Sequence, residues 1–141
     1  MKVVVDTNCL LSSIPPKSEH YWLYRAFENE VFDWIISNEI LSEYEEKIAE
    51  RYSEHTSELV LSILCVAPNT IFAEPFYNWQ LIEKDPDDNK FVDIAIAQNA
   101  DFIVTNDTDF DVLKSLKFPV VKVISLKEFK AVLNLKNEYL F

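Results

Sequence analysis

Not one glycine occurs among the 141 residues of this chain. Backbone positions with positive φ must therefore be filled by asparagine or aspartate, whose short polar side chains tolerate the left-handed region best. Asn29, Asn69 and Asn99 are the expected sites. Cysteine is scarce: Cys9 and Cys65 sit in apolar contexts without metal-ligand spacing, which fits core thiols in a reducing cytoplasm. No apolar run approaches the roughly 20 residues of a membrane span, and the start lacks the basic, apolar, then small-residue pattern of a signal peptide. A cytoplasmic location with no membrane partner is expected. Basic residues are outnumbered, with 13 Lys+Arg against 24 Asp+Glu and a net charge of −11. Such a chain repels nucleic acid at long range, which argues against a simple DNA- or RNA-coating role. An enzyme that meets phosphates through a bound metal is still allowed, because the ion reverses the local sign.

What is present is enough to build a core. Hydrophobic residues make up 49% and aromatics 13%, which argues against a disordered chain. The length suits one domain over residues 1–141. Residues 2–6 read as a strand, 19–29 as a helix with Tyr21, Tyr24 and Phe27 at helical spacing, and 32–36 as a second strand. Ser37 or Asn38 then caps a helix to about residue 52, with Ile40, Leu41, Tyr44 and Ile48 as its buried stripe. A further helix is expected over 58–66 and a short strand over 70–73. In "EKDPDDNKFVDIAIAQNAD", Asp85 fits an N-cap, Pro86 the first helical position and Asn99 the left-handed stop. Residues 102–105 read as an apolar strand, 109–115 as a short helix, 120–124 as a strand and 126–133 as a closing helix. Strands alternating with helices imply an α/β domain with a mainly parallel sheet of four or five strands.

In parallel sheets, functional groups gather beyond the carboxyl ends of the strands. Two strands here end in acids: "VVVDTN" in Asp6, and "FIVTNDTDF" in Asp107 and Asp109. If those strands are neighbours, Asp6 and Asp107 converge on one rim. A helix starting at that rim adds Asp87 and Asp88, and Glu43 lies near the edge of the buried face of its helix. Such a gathering is electrostatically unfavourable without a cation. Mg²⁺ or Mn²⁺ prefers oxygen ligands, and two such ions about 4 Å apart activate water and stabilise the leaving oxygen of a phosphodiester. No catalytic histidine is then required, in a chain whose histidines are His20 and His55. Taken singly, each acid has a local alternative. Asp6 and Asp107 suit turns, Asp88 suits the positive end of a helix dipole, and Asp109 suits a cap. Thr7 and Asn8 are either turn residues or groups that orient Asp6.

Taken in order, four segments make the sequence resemble the PIN-domain nucleases, particularly the VapC-like toxins of bacterial toxin–antitoxin pairs. They are "VVVDTN", "WIISNEILSEYEEKI", "DPDDNKFVDIAIAQNADFIVTNDTDF" and "PVVKVISLKEF", and the likeness weakens over residues 53–80. The resemblance implies a three-layer α/β/α sandwich and metal-dependent cleavage of RNA. The family's acidic quartet falls on Asp6, Glu43, Asp88 and Asp107, with Asp6, Asp88 and Asp107 as ligands of Mg²⁺ or Mn²⁺. Glu43 then completes the shell or positions the attacking water. Asp93 matches a further acidic position, Asp109 neighbours the fourth site, and Thr7 and Asn8 match the polar residues after the first acid. The family often has glycine where this chain has Asn99 and Asn106.

The reading is therefore a ribonuclease whose partners are RNA, a small antitoxin and a second copy of itself, joined through apolar helix faces such as residues 22–27. Lys17, Arg25, Lys84 and Lys90 are the basic candidates for the rim. Two other classes fit less well. A haloacid-dehalogenase-like phosphatase wants a second Asp two residues after its nucleophile, where this chain has Asn8. A phosphoacceptor receiver wants an acidic pair before its phosphorylated Asp and a lysine on a late strand. A non-catalytic interaction module of the same fold is the remaining alternative, and the intact quartet argues against it.

Overall fold

Three consecutive valines, fully buried, form most of β1 (Lys2–Val5). A strand apolar on both faces belongs in the middle of a parallel sheet covered on both sides, and β1 is the central strand. The computed structural model describes residues 1–136. In it β1 lies beside β2 (Asp33–Ile36) and β4 (Phe102–Val104), while β3 (Thr70–Phe72) and β5 (Val123–Ile124) form the edges. The order is β3-β2-β1-β4-β5 and every pairing is parallel. Val5 registers with Val104, so β1 and β4 end together.

The chain moves outward from β1 through β2 to β3, then crosses back to β4 and β5. Right-handed crossovers place α1 (Thr7–Ser13), α2 (Trp22–Glu28), α3 (Asn38–Arg51) and α4 (Glu54–Val66) on one face of the sheet. They place α5 (Asn89–Ala97) on the other. The final helix, α6 (Leu126–Lys136), sets Phe129 edge-on against Phe32 at 5.2 Å between ring centroids. The result is the expected three-layer α/β/α fold. Its order reverses between β1 and β4, and in open α/β sheets the crevice at such a switch is where ligands bind.

Several local expectations hold. Ser37 caps α3, its hydroxyl accepting the Ile40 N–H at 3.2 Å, and Ile40, Tyr44 and Ile48 are the buried stripe. Asn99 adopts φ 51°, as a glycine-free helix stop requires. Others need correction. The expected 19–29 helix is only Trp22–Glu28, and α1 directly after Asp6 was unforeseen. The 58–66 helix begins earlier, at Glu54, because Ser53 caps it. The 120–124 strand shrinks to Val123–Ile124. Asn29 has φ −85°; the positive φ falls one residue later, on Glu30, and also on Gln80. Asn69 instead donates from its buried amide to the carbonyls of Phe27 and Phe32, both at 2.9 Å. Cys9 is buried, but Cys65 is exposed. On the 22–27 helix Trp22, Leu23, Ala26 and Phe27 are buried within the fold, Tyr24 is half-buried and Arg25 is exposed. Among the described residues, no helix is long and apolar enough to cross a membrane.

Candidate active site

Asp6 follows β1 and occupies the N-cap position of α1, but its side chain makes no capping bond. The backbone carbonyl alone accepts the N–H groups of Cys9 and Leu10, at 3.0 and 3.2 Å. The carboxylate is left for other partners, and its Oδ2 accepts Thr105 Oγ1–H at 2.8 Å. Burial pushes the Asp6 carboxyl up to about 6; the Thr105 hydroxyl opposes the rise, and the charges of Asp107 and Glu43 add to it. The same burial, with Asp6 nearby, pushes the Cys9 thiol up to about 12 and keeps it protonated.

Glu43 reaches this rim from α3. Thr7 donates its hydroxyl to Glu43 Oε2, and Lys90 Nζ from α5 pairs with Oε1 at 2.9 Å. The Lys90 side chain is only 8% exposed, so this ammonium is held within the protein. Burial alone lowers a lysine, but the hydrogen bond and charge of Glu43, with Asp87 and Glu39 beyond, raise Lys90 overall. Both oxygens of Glu43 thus have fixed partners.

"DPDD" folds as the 3₁₀ turn Pro86–Asp88 running into α5. Asp85 is the cap, accepting the Asp87 N–H at 3.2 Å. This frees Asp88, which sits at the N-cap of α5 without a capping bond, its Oδ2 buried and unpartnered. Burial, then Asp85, Asp6, Asp107 and Asp109, push the Asp88 carboxyl up to about 7. One carboxylate oxygen from each of Asp85, Asp88 and Asp109 lies within 4.8 Å of the others. Asp107 caps the 3₁₀ segment Thr108–Ser115, accepting the Asp109 N–H at 2.9 Å, so Asp107, not Asp109, is the cap. Lys84 pairs with Asp109 at 3.5 Å.

The sheet switch point is therefore ringed by carboxyls from separate segments, two of them held well above the ordinary range. An unpaired buried carboxylate oxygen amid like charges suits a hard divalent cation, which would exchange repulsion for coordination. A model of the PIN domain matches residues 2–109.

The chain belongs to the PIN domain family.

Solved structures agree on the fold. This PIN domain is similar to VapBC2 from Rickettsia felis, solved bound to a DNA fragment from their promoter. The TM-score is 0.63 at 19% identity, covering 89% of this chain and 98% of that one. It is also similar to VapC20 of Mycobacterium tuberculosis, a Sarcin-Ricin loop cleaving toxin, with a TM-score of 0.59 at 12% identity. That likeness covers 77% of this chain and 92% of the other. FitAcB from Neisseria gonorrhoeae gives 0.56 at 14% identity, over 89% and 98%. At these identities the likeness is one of fold. No curated protein matches the chain by sequence.

Within this PIN domain, Asp6, Glu43, Asp88 and Asp107 are brought to one rim, with Asp109 beside them and Thr7 on Glu43. Asp93 has other partners: it is buried, accepts the Trp79 N–H at 3.1 Å, and is raised by burial with Glu39 adding to the effect. Asn8 is exposed. Of the basic candidates, Lys90 and Lys84 touch the acids, Arg25 pairs with Glu28 on its own helix, and Lys17 is exposed. Sequence reasoning missed two participants. Thr105 bonds Asp6 and also accepts the Asp107 N–H at 3.0 Å. Its signal was a hydroxyl two residues before Asp107 on a strand end. Asp85 was read only as a cap, yet it also faces Asp88.

Proposed function

We propose that this PIN domain is a Mg²⁺- or Mn²⁺-dependent endoribonuclease, acting as the toxin of a toxin–antitoxin pair. The observation that carries the reading is the buried, unpartnered Oδ2 of Asp88 among Asp85, Asp6, Asp107 and Asp109. Asp6, Asp88 and Asp107 are the proposed metal ligands, with Asp109 and Asp85 as neighbours. A divalent ion bound there supplies the positive charge and Lewis acidity that phosphodiester hydrolysis requires. The chain's own groups prepare the rim for it. Thr105 fixes the Asp6 carboxylate and the backbone of Asp107 together. Thr7 and Lys90 hold the two oxygens of Glu43, leaving that carboxylate oriented to position an attacking water.

Family membership supports a nuclease in general; RNA as substrate also draws on VapC20, the Sarcin-Ricin loop cleaving toxin of the same fold. The antitoxin partner draws on VapBC2. A homodimer completes the proposal. With Trp22, Leu23, Ala26 and Phe27 in the core, Leu59, Ile63 and Val66 on α4 are apolar side chains still exposed for such contacts. The deciding experiment is cleavage of single-stranded RNA by purified protein. Cleavage needs Mg²⁺ or Mn²⁺, stops with EDTA, and falls by orders of magnitude in Asp6→Asn. Equal cleavage by the variant would trace the activity to a contaminant.

A further inference from the structure

Side chains from two separate segments build an exposed ladder of rings. Tyr77 and Trp79 meet edge to face at 5.1 Å between centroids, and Trp79 meets Phe118 in the same manner at 6.0 Å. Phe118 is 80% exposed and Tyr77 64%. Rings of this size ordinarily fill a core or an interface, so their grouping in water marks a binding surface.

The ladder is joined to the acidic rim along α5. The Trp79 backbone N–H donates to Asp93, and Asp93 lines a cavity of about 530 Å³ together with Lys90, Asn78, Gln80 and the acids Glu39 and Glu83. Lys90 in turn holds Glu43. Further along α5, Ile96 lines a second cavity with Phe118. Lys90, Asp93 and Ile96 recur every three residues and so follow one side of the helix, and six residues of helix span about 9 Å. A short path therefore connects the acids to the rings.

Charge separates the Phe118 side of this surface from the rest of the molecule. Residues 112–127 contain Lys114, Lys117, Lys122 and Lys127 and no acid, in a chain of net charge −11. Lys114 pairs with Asp111, whereas Lys117 and Lys122 are exposed and in no ion pair among the described residues. Aromatic faces flanked by unpaired lysines are what a single nucleic-acid strand requires: rings for bases, ammonium groups for phosphates.

We propose that the Tyr77–Trp79–Phe118 ladder, flanked by Lys117 and Lys122, is a stacking subsite for unpaired bases of an RNA strand lying along α5. The inference rests on the ribonuclease reading for the nature of that strand. Stacking of this kind tolerates any base, because every base has a π face, and it weakens with salt as the lysines lose their phosphates.

The test uses the whole protein in EDTA, so that no cleavage occurs, with a short fluorescein-labelled oligoadenylate as probe and anisotropy as readout. Phe118→Leu and Tyr77→Leu are expected to weaken binding about tenfold or more, and Phe118→Tyr to retain it. Lys117→Ala should lower the salt slope by about 1. Circular dichroism confirms that these surface variants fold. Wild-type affinity in Phe118→Leu overturns the subsite. So does a ladder variant that turns dimer into monomer in sedimentation while its oligonucleotide affinity stays unchanged, since the surface then joins two copies. Cleavage by the wild type with Mn²⁺ is scored separately. Normal cleavage with ladder-independent binding defeats the subsite alone. Ladder-dependent binding without metal-dependent cleavage supports the subsite and defeats the ribonuclease reading.

Discussion

Thr105 donates its hydroxyl to Asp6 Oδ2 at 2.8 Å, tying the end of β4 to the acid at the end of β1. The Thr105 hydroxyl oxygen in turn accepts the Asp107 N–H at 3.0 Å, so one side chain sets two of the proposed ligands. Thr105→Val keeps the shape and removes the hydroxyl. Leaving a buried polar group without its partner costs about 1–3 kcal/mol. Urea unfolding should show a loss in that range, and a carboxyl NMR titration of metal-free protein should place Asp6 higher in the variant than in the wild type, since the Thr105 hydroxyl opposes the rise that burial causes. Thr105→Ser should restore both quantities. An unmoved Asp6 titration in the valine variant would refute the coupling.

The elevated carboxyls also set how stability depends on pH. Asp6 at about 6 and Asp88 at about 7 hold protons in the folded chain that an unfolded chain, at about 4, has released. The folded state binds more protons across this interval, so its stability falls as pH rises. Their contribution is complete below pH of about 4 and is lost by about 7. In EDTA, the melting temperature of the wild type relative to Asp88→Asn should therefore drop between those limits. A flat difference would mean that burial and the neighbouring acids do not raise the Asp88 carboxyl.

Metal should reverse that loss. Asp88→Asn removes one charge from the cluster, so without metal it should melt higher than the wild type, despite giving up a favourable charge at a helix start. Mn²⁺ at a hundred times its Kd should stabilise the wild type by about 2.7 kcal/mol and the variant much less. Four melting curves decide between a metal site and acids that merely end turns. Equal Mn²⁺ shifts in both proteins would favour the turns.

Lys90 offers a different handle, because it is the enclosed cation of the rim. Lys90→Met leaves Glu43 facing Asp6 without its partner. The expected cost is roughly 1–3 kcal/mol, between the values typical of exposed and of buried pairs. A double-mutant cycle with Glu43→Gln isolates the pair, and a coupling near zero would show that the two groups act independently.

Much of this arrangement was legible from strand ends alone. "VVVDTN" and "FIVTNDTDF" are apolar runs that stop on acids, and the only missing fact was that β1 and β4 are neighbours. Asp85, Pro86 and Asn99 announced their turns because each carries its preference in its own side chain. The failures share a cause. α1 is seven residues long, "TNCLLSS", and is held by burial of Cys9, Leu10 and Leu11 rather than by propensity. Glu30 and Gln80 take positive φ although neither side chain favours it; at Glu30 the helix stop itself sets it, with Glu30 N–H on Phe27 O at 2.9 Å and Val31 N–H on Ala26 O at 3.0 Å. Thr105 was invisible because its role needs two strands side by side. Asp93 shares the "DPDDNKFVD" run with Asp88, yet it bonds Trp79, a direction that spacing alone did not give.

The central place of β1 divides the acids by how freely each can move. Asp6 N–H bonds Val104 O and extends the β1–β4 ladder, so displacing Asp6 means opening the middle of the sheet. Openings of that kind approach the free energy of global unfolding, whereas short turns at the surface open far more easily. Asp88 and Asp107 are carried by 3₁₀ turns. In amide exchange, Asp6 should behave as a core residue and Asp88 as a turn residue, in the same molecule and on the same rim. Were a cation to bind at this rim, the unpartnered Asp88 on its turn would have the freedom to follow its ionic radius, and the sheet that carries Asp6 would stay undisturbed.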